Sequence, residues 1–307
     1  MNATALSPAA TVAVDADLYV RPPSLWRRFR RHKVAVVASI VLIAITLVAI
    51  FAKFLPLQDP SFIDQDHWSG TPLAPGVAGH LLGTDENGRD LLARLVFGAQ
   101  ISLTVAGTAV LMEVVIGSVL GAISGFYGGL VDYTLMRVVD VFASIPILPL
   151  LLVLSAIVSS TTSKASLNFI VIIAIIGLLS WPSVARLVRA SFLSLREKEF
   201  AEAARAVGNG DARIIFRHLL PNAIAPIIVQ ATLDIASVIV LESTLSFLGF
   251  GVQPPTASWG NMLSNAQSNM ANAPWVAVFP GLCIFVTVLA INYIGDGLRD
   301  ALDPNMK

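Results

Sequence analysis

Charge is scarce in this 307-residue chain. Only 13% of its residues are charged, against about a quarter in ordinary soluble domains, while 55% are hydrophobic. Mean hydropathy is +0.76. That balance excludes a string of soluble domains and indicates an all-α polytopic membrane protein with one membrane domain in the lipid bilayer. Cysteine is nearly absent. Cys283 stands alone in an apolar run, which excludes a disulfide within one chain and a cysteine-ligated metal. Basic and acidic residues balance at 20 each, so nothing suggests a nucleic-acid partner. There are five lysines, and none follows a Gly-x-x-x-x-Gly loop, so the phosphate cradle of a P-loop ATPase is missing. No cofactor is expected, and any ATP-driven work has to be done by another chain.

What is present is a set of long apolar runs. A helix needs about 20 such residues to cross a bilayer, and six runs qualify: 34–52, 99–125, 135–159, 165–185, 223–247 and 274–295. Pro146 and Pro149 fall in the third, Pro182 in the fourth and Pro280 in the sixth, where kinks or breaks are expected. Lysine and arginine set the orientation. Sixteen of the 20 lie before the first run, in the second-to-third connection, in the 186–217 region or after the last run. Both termini are therefore expected in the cytoplasm. Residues 1–33 read as a cytoplasmic tail without the basic-then-apolar order of a signal peptide. Residues 34–98 read as a first transmembrane helix with an external loop, and 99–307 as the core transmembrane domain. Trp68, Trp259 and Trp275 suit interfacial anchors.

The polar stretch 194–222 interrupts the apolar runs. Ser194-Leu-Arg-Glu197 has the pattern of a capping box, and Gly208 suits a helix stop. Asn209-Gly210 is turn chemistry, and Asp211 suits the cap of a second short helix that Pro221 closes. Phe200, Ala203, Ala204 and Val207 share one helical face, with Glu199, Glu202 and Arg205 off it. An ordinary amphipathic loop has the same pattern, so the periodicity alone does not decide its role.

Acidic residues inside the runs are costly in lipid and have to face protein or water. Glu113, Asp234 and Glu242 are candidates for pathway or gating residues. Asp234 and Glu242 lie eight apart, on one helix face. Asp140 suits a local pair with Arg137. Asp64-x-Asp66-His67 has metal-ligand types but no second cluster, so a solvated loop is the better reading and no metal site is expected. No nucleophile–base pair stands in the runs, so no catalytic residue is expected.

Glu202-Ala203-Ala204, then Gly208, then Leu220-Pro221 resembles the EAA loop of ABC importer permeases. His218 stands where an isoleucine is usual, and the run Arg217 to Asn222 is similar to the dipeptide/oligopeptide branch, which also handles nickel. Four further runs resemble that branch in order: 82–90, 125–132, 242–260 and 295–304. The set resembles the shorter-loop subunit of the permease pair. The resemblance implies six transmembrane helices of ABC importer type in a bacterial inner membrane. It implies as partners a second homologous permease, two ATP-binding cassette ATPases and an extracytoplasmic solute-binding protein. Glu202, Ala203, Ala204, Gly208, Leu220 and Pro221 would then couple to the ATPases, with Glu202 paired either to a basic group there or within the loop. Di- or oligopeptides are the implied solute, with nickel chelates or glutathione as alternatives. From a different class, an ion-coupled secondary transporter would use Glu113, Asp234 and Glu242 as ion sites.

The charge asymmetry is directly testable. A protease-cleavable tag at either terminus is expected to be cut only from the cytoplasmic side of sealed vesicles, and cutting from the opposite, extracytoplasmic side would overturn the topology.

Overall fold

The computed structural model describes residues 25–161 and 165–302, and among these every regular element is helical. The expected tail up to residue 24, with Lys164 and Lys307, lies outside the described residues. A backbone in lipid has to satisfy its own polar groups, which a helix does within one segment. The apolar runs form α2 (Lys33–Ile50), α3 (Leu91–Tyr127), α6 (Ala165–Leu195), α9 (Leu220–Phe247) and α11 (Trp275–Leu302). A short α1 (Leu25–Phe29) precedes them. Between α3 and α6 stand α4 (Gly129–Ser144) and α5 (Ile147–Thr161). Between α6 and α9 stand α7 (Glu199–Ala206) and α8 (Asp211–Arg213), and α10 (Trp259–Ala266) precedes α11. Among the described residues five helices are long and apolar enough to span a bilayer, or six if α4 and α5 count as one.

That pair is the expected third span, broken at the proline as the sequence predicts. Ile145 is extended (φ −81°, ψ 124°), and α4 and α5 meet at a 77° bend. Pro146 cannot donate an N–H, and its ring drives the preceding residue out of the helical region. Other helices outrun their apolar runs. α3 begins at Leu91 because Asp90 caps it, accepting from Ala93 N at 2.7 Å. Its 37 residues make a rod about 55 Å long, well beyond a hydrocarbon core of about 30 Å, so its polar-flanked ends project.

Glycine sets how closely α3 and α6 approach. Gly117, Gly121 and Gly125 recur every four residues and make a stripe along α3. A Cβ at Gly117 would lie 2.6 Å from Val184 Cβ, one at Gly121 2.5 Å from Ala185 O, and one at Gly125 2.6 Å from Phe192 Cβ. Helices in lipid associate largely through such close van der Waals contact. The same region of α6 feeds a buried cluster of Val188, Phe192, Ala201, Ala204, Ile214 and Leu219. The glycine stripe therefore fixes the platform on which the 199–219 segment rests. At the other end Trp259 is 1% exposed and donates from Nε1 to Leu95 O at 3.0 Å. It is a buried wedge between α10 and α3 rather than an interfacial anchor, because its indole N–H finds a carbonyl inside the bundle.

Gly121→Leu is expected to lower the thermal stability of the detergent-purified protein sharply, because backbone blocks the added carbons and overpacking costs about 1–3 kcal/mol even where side chains can move. Gly107, with nothing within 4 Å of an added Cβ, is the control, and Gly107→Ala is expected to be neutral. Equal melting of the two variants would contradict the stripe.

Candidate functional site

The segment after α6 is built as a wedge. Ser194 does not cap a new helix. Phe192 is anchored against Gly125, which keeps α6 helical to Leu195 with Ser194 inside its last turn. Lys198, extended at φ −84° and ψ 148°, becomes the N-cap of α7, and Glu197 accepts from Arg196 Nε at 3.0 Å. α7 buries Ala201 and Ala204 against the α6 cluster. The expected single face therefore divides. Ala204 holds the helix to the bundle, while Phe200, Ala203 and Val207 point outward, Val207 at 83% exposure. Glu202 is exposed beside them, and among the described residues no ion pair holds it.

Gly208 ends α7 with φ 79° and donates to Arg205 O at 2.9 Å. A left-handed residue at this position closes the helix, and glycine takes that conformation without a Cβ clash. Asn209 reaches Ala204 O twice, through its backbone N at 3.2 Å and Nδ2 at 3.1 Å. The second helix then departs from expectation. Gly210, not Asp211, is its N-cap, and Pro221 does not close it. Ile214–Leu219 form a π turn in which Leu220 N–H reaches Ile215 O. The wider turn lets the chain pass Pro221, which sits in the first turn of α9 where its missing N–H costs little. Asp211–Phe247 is therefore one continuous rod, with Leu220 and Pro221 at its joint.

An ion pair, a guanidinium–carbonyl hydrogen bond and a cation–ring contact tie the α3–α4 corner to α6 and α7. Arg189 grips Asp132 with two N–H bonds, one of them 2.6 Å from Nη2 to Oδ2, and Ser124 donates to the same carboxylate. Arg196 Nη1 donates to Gly125 O at 3.2 Å, and the Arg205 guanidinium lies 5.7 Å from the Phe126 ring centre. The 125–132 run thus locks the α3–α4 corner to α6 and α7. The expected Arg137–Asp140 pair is absent. Arg137 stacks on the Tyr133 ring of its own helix at 5.2 Å, leaving Asp140 to accept from Arg186 of α6 at 2.9 Å.

The three intramembrane carboxylates occupy two places. Glu113 and Asp234 come together across α3 and α9 on the wall of a cleft of about 510 Å³. Arg186, Ser180, Ser183 and Phe142 also line it. Glu242 lies elsewhere, wholly buried, accepting from Ser246 Oγ at 2.7 Å and Ser102 Oγ at 3.2 Å. Ser102 Oγ in turn accepts from Trp259 N at 3.3 Å, and Ser258 caps α10 through Asn261. Glu242 is the centre of a hydroxyl cage that seats α10. Eight residues along α9 thus separate a cleft residue from a packed one.

At the far end from α7, the loop before α3 closes on a histidine. His80 is 1% exposed, with Nδ1 2.8 Å from Asp90 Oδ2 and Nε2 3.2 Å from Asp64 Oδ2. Only a charged imidazole has an N–H on both nitrogens, so both contacts are donated only by the cation. Burial alone disfavours that cation, but hydrogen bonds and charge from Asp90 and Asp64 hold the ring above its ordinary 6.5. Partial burial pushes Asp64 up, and hydrogen bonds from His80 and His67 more than reverse this, leaving it below 3.8. Asp64 is thus committed to the two histidines, with His67 Nδ1 at 2.9 Å. Asp85 pairs with Arg89 at 2.7 Å and Arg94 at 3.1 Å. Sequence reasoning missed the His80 clip because its two carboxylates stand 16 and 10 residues away. It missed the glycine stripe although the four-residue spacing was there to read.

Among the described residues, the bundle of long apolar helices with a polar wedge at one end is that of a multi-pass membrane protein. The family of binding-protein-dependent transport system inner membrane components matches residues 117–307, and the N-terminal transmembrane domain of oligopeptide transport permease C matches 24–75. The chain belongs to this family of inner-membrane ABC importer permeases. It is 40% identical to a glutathione transport system permease protein, GsiD, of Pectobacterium atrosepticum, over 97% of this chain and 96% of that one. It is 42% identical to a dipeptide transport system permease protein, DppC, of Alkalihalophilus pseudofirmus, over 92% and 89%. Its fold matches the inward-facing MetNI methionine ABC transporter with a TM-score of 0.55 at 22% identity, covering 69% of this chain and 98% of that one.

The clip carries a pH dependence of definite sign. A raised histidine pKa adds stability that is complete below the unfolded value near 6.5 and is lost as pH rises through the higher folded value. Wild-type protein is expected to lose thermal stability as pH rises from about 6.5 through that folded value, and His80→Gln to lose less over the same range. Parallel pH profiles for the two proteins would contradict the clip.

Proposed function

We propose that this chain is one half of a permease pair in an ATP-driven importer of di- or oligopeptides. A second homologous permease completes the path, two ATP-binding cassette ATPases drive it, and an extracytoplasmic binding protein delivers the solute. Both termini and the α7 wedge face the cytoplasm, and the His80 loop faces outward. The observation that carries the reading is the wedge itself. Phe200, Ala203 and Val207 form an outward apolar stripe on a helix clamped from behind by Ala201 and Ala204. A short rigid helix with a small central residue suits insertion into a groove of a partner. Unpaired Glu202 beside the stripe favours a basic group on the ATPase over a partner within the loop.

The continuous rod from Asp211 to Phe247 supplies the transmission. An ATPase that moves α7 displaces the base of that rod, and the lever carries the displacement to the middle of the bundle. Nucleotide binding and hydrolysis then favour two arrangements of the bundle in turn, one open outward and one inward. The peptide assignment draws on relatives named for dipeptide and glutathione transport at similar identity, and glutathione is the alternative solute. Family membership displaces the ion-coupled transporter reading.

Gly208→Val is expected to leave membrane insertion intact and abolish co-purification of the ATPases, because a β-branched residue resists φ near 79°. Glu202→Lys is expected to keep ATP hydrolysis while sharply reducing uptake of a labelled dipeptide. Normal ATPase recovery with the first variant, or unchanged uptake with the second, would contradict the wedge's role.

A further inference from the structure

Glu113 and Asp234 lie near the middle of the two longest helical rods, α3 and Asp211–Phe247. Glu113 is 2% exposed, yet its side chain is part of the cleft wall. Its charged neighbour is Asp234, another carboxylate. Among the described residues no lysine or arginine forms an ion pair with either one. The cleft does contain a cation, Arg186, but Asp140 holds it at 2.9 Å. Gln230 Nε2 donates to Asp234 Oδ1 at 2.9 Å, while buried Oδ2 receives no N–H or hydroxyl donor and the two carboxyl groups lie within hydrogen-bonding reach of each other. The arrangement leaves acceptor capacity unused in a place where unmatched polar groups are expensive.

A packed structural carboxylate in this same protein looks different. Glu242 is fully buried and has serine hydroxyls around it. Glu113 and Asp234 lack such donors and border about 510 Å³ of space. Two facing carboxylates repel each other when both are ionised; a proton held between them or a cation beside both removes that repulsion. The ligand class they fit is a compact group with several N–H donors and a positive charge, which describes a primary ammonium.

The geometry points to a solute subsite in the translocation cleft, where Glu113 and Asp234 receive the ammonium group of the transported molecule. The inference rests on the peptide-import reading and deepens it, since a free peptide carries such a group at one end. Ser180 and Ser183 of α6 also line the cleft and offer hydroxyls to amide groups of varied sequence. Selection by a backbone group rather than a side chain leaves the rest of the peptide unread, which suits a permease that accepts many sequences. The large, mixed polar and apolar cleft has room for those side chains.

The test uses the complete permease–ATPase complex, purified without the binding protein so that its own selectivity does not intervene. Equilibrium binding of Ala-Ala is compared with that of N-acetyl-Ala-Ala, which lacks the ammonium. The wild-type complex is expected to prefer Ala-Ala by about tenfold or more, the scale of one charged hydrogen-bonded contact. Glu113→Gln and Asp234→Asn are each expected to erase most of that preference while leaving N-acetyl-Ala-Ala binding unchanged. Both substitutions keep side-chain size, and recovery of the intact complex checks folding. Equal binding of the two probes by the wild type, or an undiminished preference in both variants, would overturn the subsite. Loss of binding for both probes together in an intact complex would also overturn it, by making the pair a structural element. ATP-driven Ala-Ala uptake by wild-type cells is measured alongside. Its absence would sink the peptide-import reading, whereas uptake with unaltered probe preference would sink only the subsite.

Discussion

The close approach of α3 and α6 is the contact on which the rest of this molecule depends. Lipid gives little hydrophobic reason for two apolar helices to associate, so packing distance decides. Gly117, Gly121 and Gly125 remove the side chains that would hold the helices apart, and Val184, Ala185, Val188 and Phe192 fill the space. Everything at the α7 end follows from that contact. Phe192 carries α6 to Leu195, and the buried cluster around it receives Ala201, Ala204, Ile214 and Leu219. Arg189 and Arg196 then lock the α3–α4 corner to the same surface. The wedge is rigid because its inner face belongs to the core of the bundle.

Polar groups inside the membrane sort into two kinds of environment, and the sorting follows hydrogen bonding. Glu242 is fully buried with hydroxyl donors, so it seats α10. Glu113 and Asp234 have open space and few donors, so they remain available. Charge outside the membrane is used differently again. His80 spans two carboxylates at the start of α3, one of which also caps that helix. A single side chain thereby sets where the longest helix begins and how the preceding loop lies against it. α3 is held at both ends, by the Asp90 cap and the Arg94–Asp85 pair at its start and by Ser124 donating to the Asp132 carboxylate that Arg189 grips at its end.

Much of this was legible in the sequence, and the failures have specific causes. Apolar run length gave the spans, and Pro146 announced a break whose 77° angle only the packing of α4 and α5 determines. Gly208 read correctly as a stop because positive φ is a local property. Ser194 read wrongly as a cap because the pattern of a capping box is local too, and here tertiary anchoring of Phe192 overrode it. Pro221 misled for a similar reason, since a π turn one step earlier absorbed the missing donor. The shared face of Phe200, Ala203, Ala204 and Val207 was real as periodicity, but which residue of it turns inward depends on where the bundle lies. Asp140 and His80 found partners 46 and 16 residues away, beyond any spacing rule. Glu113 and Asp234 could be nominated individually from their cost in lipid, while their meeting across a cleft could not.

The central claim is that the outward stripe of α7, and not its inner face, touches the ATPase. Cys283 is the chain's one cysteine, so Cys283→Ser gives a clean background for a single new thiol. Val207→Cys and Ala204→Cys are then compared by cross-linking in the assembled complex. The account requires Val207→Cys to cross-link to the ATP-hydrolysing chain and Ala204→Cys to leave it untouched. Cross-linking from position 204 with none from 207 would contradict the account and turn the wedge around.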